Sequence, residues 1–205
     1  VFAFADPRVL FERLAEHAIV LTPHDYPTDP VRQPLWLEAT LKNGLFNAGV
    51  VGASRAGRTA LAWWADACAY RCEKSLLRGL FDDQKYLDVL AVRFPNVHIE
   101  RHPGINAAEW NATTRGERTV QDGRLVYSDG SPLVLYHFNG FSVRAILDEP
   151  DHVMRPLLDE YVEAVRTEDE TVTAADLASA PTALDRIKQA VWHWLDAANT
   201  TAHGR

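Results

Sequence analysis

Leu133-Val134-Leu135-Tyr136 is apolar at every position. Successive side chains of a strand point to opposite faces, so a strand without a polar residue has to be covered on both sides. That condition is met where helices pack on a sheet, and it sets the expectation of a layered α/β fold. The rest of the chain supplies the parts. Ala18-Ile19-Val20-Leu21 is a second short apolar run, Leu45 to Ala53 a third, interrupted by Gly49, and Val97 to Glu100 a fourth after the Pro95-Asn96 turn. Helical spacing governs the stretches between them. One helix follows Asp6-Pro7 with Leu10, Phe11 and Leu14 on a stripe. A second runs from Arg55 to about Glu73 with Leu61, Trp64, Ala65, Cys68 and Cys72 along one side. A third starts at Asp82 or Asp83 and turns Tyr86, Leu87, Leu90 and Phe94 inward. Pro23 to Pro34 reads as a long loop, and Asp122-Gly123 marks a hairpin from Thr119 to Tyr127. From Pro150 the pattern is helical, over Val153 to about Arg166 and again over Ala183 to about Ala197. The expected organisation is a mixed-sheet α/β domain over residues 1–147, then a helical extension over 148–205.

Composition narrows the function classes. A net charge of −7 argues against the clustered cations of a nucleic-acid footprint, but not against a single nucleotide ligand. No run approaches the roughly 20 apolar residues of a membrane span, and no charged-then-apolar signal opens the chain, so a cytoplasmic location is expected. Cys68 and Cys72 share a helix face as thiols, with no Cys/His spacing of a zinc site. Val1 to Pro7 reads as a strand end running straight into a helix, which sets the expectation that further residues precede Val1.

Several polar residues stand where chemistry is done. His137-Phe138-Asn139-Gly140-Phe141 leaves the apolar strand at its carboxyl end, the edge where ligands bind open α/β sheets. His137 there is either a metal ligand or a hydrogen-bonded histidine closing a strand; Gly140 allows a close backbone approach, and Arg144 suits phosphate oxygens. Asp82-Asp83-Gln84 is either a helix start or an acid and an amide directed at a sugar hydroxyl. Asn47 and Gly49, inside an apolar strand, mark either a bulge or a close approach by a ligand. His24-Asp25-Tyr26 is either a site loop or solvated. Trp110, and the pair Trp63-Trp64, offer faces for a sugar, with core packing as the ordinary alternative.

The order of these signals is the most specific feature. Asp-Pro-x-x-x-Phe-Glu, Pro-His after an apolar strand, Phe-Asn-Ala-Gly-Val, a Trp-Trp helix, Phe-Asp-Asp-Gln-Lys-Tyr-Leu-Asp, Arg-Phe-Pro-Asn-Val-His-Ile, His-Pro-Gly-Ile-Asn, Trp-Asn and His-Phe-Asn-Gly-Phe follow one another from about Phe4 to Arg144. As an ordered set this resembles bacterial nucleotide-sugar glycosyltransferases of the GT-A type, related to the family of glycogenin and the lipopolysaccharide galactosyltransferases.

The resemblance implies the later part of a GT-A sheet and transfer of a sugar from a nucleotide diphosphate to an acceptor hydroxyl. It implies that Asn47 and Gly49 line the sugar pocket, that Asp83 and Gln84 flank the reactive carbon, that His137 is the third ligand of Mn2+ or Mg2+, and that Gly140 belongs to the diphosphate loop. His24, Asp82, Trp110 and Arg144 join as candidate substrate contacts. It leans towards retention, with front-face attack favoured over a covalent intermediate because Gln84 is a poor nucleophile. Two departures accompany it. The Asp-x-Asp metal ligands would precede Val1, and the lysine position three beyond Gly140 holds Val143, with Arg144 one place further. The alternative from another class is a noncatalytic module that binds a carbohydrate or a partner.

Overall fold

The computed structural model of the protein describes residues 1–148 and 153–178. The expected helix over Ala183 to Ala197 lies outside the described residues. By internal contacts the chain divides into two units, residues 1–27 with 38–137, and residues 28–37 with the chain from Phe138 onward.

The first unit opens with β1 (Phe2–Ala3) and α1 (Arg8–Glu16), whose start is held by the Asp6 carboxylate accepting the Arg8 N–H at 2.9 Å. Next come β2 (Ile19–Pro23), α2 (Pro34–Asn43, of which residues 38–43 belong to this unit), β3 (Phe46–Ala53) and α3 (Arg58–Tyr70). The short ribbon β4 (Lys74–Ser75) and β5 (Leu80–Phe81) leads to α4 (Tyr86–Arg93) and β6 (Val97–Ile99). A short α5 (Ala112–Arg115), the hairpin β7 (Arg118–Gln121) and β8 (Arg124–Tyr127), and β9 (Leu135–Tyr136) complete it. The protein is α/β.

Its largest sheet has the order β3-β2-β6, antiparallel between β2 and β3 and parallel between β2 and β6. β2 lies in the middle and is buried along its whole length, as its apolar run requires. Ile19, Leu21, Phe46, Ala60, Leu87 and Leu90 form the core, so β2 and β3 are packed by α3 and α4. Truncating Leu87 or Leu90 to alanine would cost about 2–5 kcal/mol. The β2–β3 register slips between Leu21, opposite Val51, and Thr22, opposite Asn47, so residues 48–50 bulge out of the ladder.

Three elements differ from the sequence expectation. The second expected helix ends at Tyr70, which leaves Cys72 outside it and exposed. The apolar segment Leu133 to Tyr136 is not a long central strand. β9 is two residues long, paired antiparallel with β1, and Tyr136 is also bridged to Ala107 in parallel sense. Its burial comes from the close passage of the 104–107 segment rather than from a broad sheet. The Gly104 carbonyl accepts from the Val134 and Leu135 N–H groups at 2.9 and 2.8 Å, and a β-carbon on Gly104 would lie 1.9 Å from the Pro132 carbonyl oxygen. The third helix starts at Tyr86, not at Asp82 or Asp83. Asp82 takes a left-handed backbone, φ 48°, and donates its N–H to the Glu73 carbonyl, which ends the β4–β5 ribbon in a turn.

In the second unit, α6 (Gly140–Asp148), α7 (Arg155–Arg166) and α8 (Ala174–Leu177) pack together. The Asn139 carboxamide oxygen accepts the N–H groups of Phe141 and Ser142, both at 2.8 Å, and so caps α6. Among the described residues no helix is long and apolar enough to cross a membrane.

Candidate functional site

The slip in the β2–β3 ladder turns polar side chains of β2 and β3 towards residues far away in sequence. Asn47, 7% exposed, is the hub. Its oxygen accepts from the Gly49 N–H at 2.8 Å and from Asn106 Nδ2 at 3.1 Å. Its Nδ2 faces His24 Nε2 at 3.2 Å and Gln84 Oε1 at 3.4 Å. Asn106, fully buried, also donates to Thr22 Oγ1 at 3.0 Å and faces His137 Nδ1 with its oxygen at 3.2 Å. Thus Thr22, His24, Asn47, Gln84, Asn106 and His137 form one buried network.

Local structure explains how each member arrives. His24 follows the last residue of β2 and puts Nδ1 on the Gly44 carbonyl at 2.8 Å, with its ring stacked on Tyr26 at 4.7 Å. Gln84 precedes α4 and donates Nε2 to the Asn43 carbonyl at 3.1 Å. Asn106 has φ 56°, a left-handed conformation asparagine tolerates, and its carbonyl accepts from Asn111 Nδ2 at 3.1 Å. His137 leaves β9 and donates its N–H to the Ala107 carbonyl at 2.7 Å. Gly49 is a glycine because of this ring: a β-carbon there would lie 2.2 Å from His137 Nδ1.

Arg115 ties the surroundings together. Its guanidinium meets Asp25 Oδ2 at 3.0 and 3.2 Å, donates to the Pro103 carbonyl at 2.9 Å, and also bonds the Ile105 carbonyl. The loop after His24 and the segment before Asn106 are thereby clamped to one buried cation.

The site is electrically neutral. Burial, partly opposed by the Gly44 carbonyl, lowers the His24 pKa to about 4. Burial is also the chief cause that lowers His137 to about 4. Both rings are therefore uncharged at pH 7.

The remaining candidates fall into three groups. Trp110 packs edge-on to His137 at 5.2 Å and to His24 at 6.4 Å, and its buried indole Nε1 has no hydrogen-bond partner among the described residues. Asp82 and Asp83 flank the network without a hydrogen bond or ion pair to it among the described residues. The Asp82 carboxylate pairs with Lys74 at 3.3 Å, and the Asp83 carbonyl accepts from Trp64 Nε1 at 2.9 Å. Asp83 lies near enough to Cys68 to help raise that thiol's pKa, behind burial and Cys72. Trp64 is thus a structural clasp on the 82–84 turn, and Trp63 packs on Phe94 at 5.8 Å. Gly140 and Arg144 belong to the second unit. Gly140 is the first residue of α6, and Arg144 pairs with Asp148 at 3.6 Å while its Nε is buried with no hydrogen-bond partner among the described residues.

Thr22 and Arg115 were not singled out from the sequence, and Asn106 and Asn111 stood only inside the motifs His-Pro-Gly-Ile-Asn and Trp-Asn, without a role of their own. The signal available for Asn106 was one amide inside the otherwise apolar Ile105-Asn106-Ala107-Ala108 after a Pro-Gly turn.

Among the described residues no group of three His, Cys, Asp or Glu is arranged to hold a metal ion. The donors gathered here are amides, a hydroxyl and imidazoles, so a hard divalent cation would draw its carboxylate or phosphate oxygens from elsewhere.

Comparison with known proteins gives two relatives in Bacillus subtilis (strain 168). The chain is 36% identical to the uncharacterized protein YfnF over 152 residues, 71% of this chain and 48% of that protein. It is 32% identical to the uncharacterized protein YfnD over 147 residues, 70% of this chain and 45% of that protein. The chain therefore spans about half the length of the curated relatives it matches. No protein-family model matches the chain. No solved structure matches it significantly.

Proposed function

We propose that the network around Asn47 is the sugar-side wall of a GT-A glycosyltransferase site, in a protein that moves a sugar from a nucleotide diphosphate to an acceptor hydroxyl. The observation that carries this reading is convergence. His24, Asn47, Gln84, Asn106 and His137 come from five separate segments and meet in one buried cluster. The first four are consumed in holding one another. Asn47 uses both donors and both acceptors internally, so its role is to fix its neighbours rather than to touch the sugar. Groups that could meet a ligand are the half-buried Asp83 carboxylate and the Trp110 indole N–H, which has no acceptor among the described residues.

In this reading a neutral His137 accepts from a ligand or supplies one metal ligand, without adding charge. Asp83 stabilises positive charge that develops at the anomeric carbon, and Gln84 keeps the 82–84 turn in register. A divalent ion, when bound, would supply charge neutralisation at the departing diphosphate. Its other ligands would come from phosphate oxygens and from carboxylates outside this cluster.

The saturation of Asn47 and Gln84 and the pairing of Asp82 with Lys74 favour a second reading, a noncatalytic module of the same fold. One experiment separates them. Uridine diphosphate and its sugar esters are titrated calorimetrically, with and without Mn2+, into residues 1–205 and into the full-length natural protein. Metal-linked binding and sugar transfer by the full-length protein, weakened in His137→Ala, support the transferase. A full-length protein that binds no nucleotide leaves the noncatalytic module.

A further inference from the structure

We propose that Asn106 is a positioning residue that sets the tautomer of His137, placing the ring proton on Nδ1 and the lone pair on Nε2. The use made of that lone pair rests on the transferase reading above; the tautomer itself does not.

Proton positions in a buried network are decided by groups that can only donate or only accept. Four backbone groups act as such anchors here. The Gly49 N–H can only donate, so the Asn47 atom it meets is the oxygen, and Asn47 Nδ2 is the donor towards His24 Nε2 and Gln84 Oε1. The Gly44 carbonyl can only accept, so His24 carries its proton on Nδ1 and offers Nε2 as acceptor, in agreement. The Asn43 carbonyl can only accept, so Gln84 faces it with its NH2 group and turns its oxygen to Asn47, again in agreement. The Val50 carbonyl takes the Thr22 hydroxyl proton at 2.9 Å, which leaves Thr22 Oγ1 as an acceptor towards Asn106.

Asn106 Nδ2 therefore has two hydrogens and two acceptors, Thr22 Oγ1 at 3.0 Å and Asn47 Oδ1 at 3.1 Å. The Asn106 carboxamide cannot be turned over without opposing oxygen to oxygen at Asn47. Its own oxygen then faces His137 Nδ1 at 3.2 Å, and only an N–H on that nitrogen makes a hydrogen bond. The proton on His137 follows, through two amides, from the Gly49 N–H and the Val50 carbonyl. Gly49 enters twice: its N–H orients Asn47, and its missing β-carbon leaves room for the ring.

The test is long-range 1H–15N NMR at pH 7 on protein with 15N-labelled histidine rings, without metal or nucleotide. His24→Gln and His137→Gln identify the two rings by loss of their signals. The expected pattern is a pyrrole-type Nδ1 and a pyridine-type Nε2 on both. A pyridine-type Nδ1 on His137 in the unmodified protein overturns the proposal without any variant. Asn106→Leu should shift His137 towards the Nε2–H form while His24, pinned by the Gly44 carbonyl, stays unchanged. A folded Asn106→Leu with His137 unchanged removes Asn106 from this role; if that variant does not fold, the Nδ1 signal of the unmodified protein still decides the tautomer. The measurement uses no turnover, so failure of sugar transfer leaves it standing. A wrong tautomer leaves the transferase reading intact, with His137 Nε2 as a donor instead of an acceptor.

Discussion

Two buried polar clusters of the first unit invite comparison. Around Asn47 and Asn106 the side chains are amides, a hydroxyl and neutral imidazoles, four of them fixed by a backbone group: Thr22, His24, Asn47 and Gln84. Around Glu100 the centre is a carboxylate with 3% of its side chain exposed, held by Arg13 at 3.4 Å, by His98 at 3.6 Å and by the His102 N–H at 2.8 Å. The first cluster gains directionality, since backbone groups that can only donate or only accept set its amides and the His24 ring one way round. The second relies on Coulomb attraction, which is less directional and is shared with a half-exposed arginine. A site that must place one lone pair is better built the first way, because neutral hydrogen bonds fix orientation without the cost of burying charge.

The comparison can be broken first at Asn47. Asn47→Ala strips the Gly49 N–H, Asn106 Nδ2, His24 Nε2 and Gln84 Oε1 of their partner together. A loss of about 4 kcal/mol in urea unfolding is expected from several unsatisfied buried groups. A loss below about 1 kcal/mol would mean that the network is not what holds these segments together.

Acid separates the two clusters by pH. A histidine whose folded pKa lies below its unfolded value contributes stability that is complete above the unfolded pKa. That stability is lost as pH falls from about 6.5 towards about 4. His24, 2% exposed, carries roughly 3 kcal/mol of this dependence, and His102 and His137 shift in the same direction. Glu100 is depressed despite the opposing pull of its burial, because the His102 N–H, Arg13 and His98 outweigh it. Its contribution is present above the unfolded carboxylate range and is lost only as pH falls through its lowered folded value. His24→Gln should reduce the slope of the unfolding free energy between pH 6.5 and about 4, keeping the part due to His102 and His137, and leave the lower window unchanged. An unaltered slope would show that His24 is protonated in the folded protein.

Gly49→Ala tests space rather than hydrogen bonding. A new β-carbon 2.2 Å from His137 Nδ1 must displace the ring, at an expected cost of about 2 kcal/mol in thermal or urea unfolding. The His137 ring signals should move while those of His17, outside the network, do not. Glu100→Gln sharpens the other side with the smallest effect, about 1 kcal/mol at pH 7, because Arg13 can turn to water. A larger loss than Asn47→Ala would reverse the ranking of the two clusters.

Much of the frame was legible along the chain. Periodicity placed α1, β2, β3, α3, β6 and α7 nearly where they stand, because each is an apolar run or stripe read against neighbours a few residues away. The hairpin was legible from Asp122-Gly123, whose φ values of 51° and 74° are the ones such a turn demands. α2 was not read: Leu35-Trp36-Leu37 is a run without helical spacing, and nothing local distinguishes it from the end of a loop. The Asp82-Asp83 start was misplaced because a β4–β5 pairing, invisible in local pattern, takes the Asp82 N–H.

For the site the division is sharper. The sequence by itself determined which residue types are available at strand ends and bulges: Asn47 and Gly49 in an apolar run, His137 after another, His24 after a third. Only the tertiary structure decided what those residues do. A slip of three residues in the β2–β3 ladder turns Asn47 towards Asn106, and Asn106 faces the ring of His137. The same structure assigns Asp82 to Lys74 and uses Trp64 to clasp the 82–84 turn. The physical reason is range. Propensity and periodicity act over a few neighbouring residues, whereas a hydrogen-bond network is closed by partners that only folding brings together.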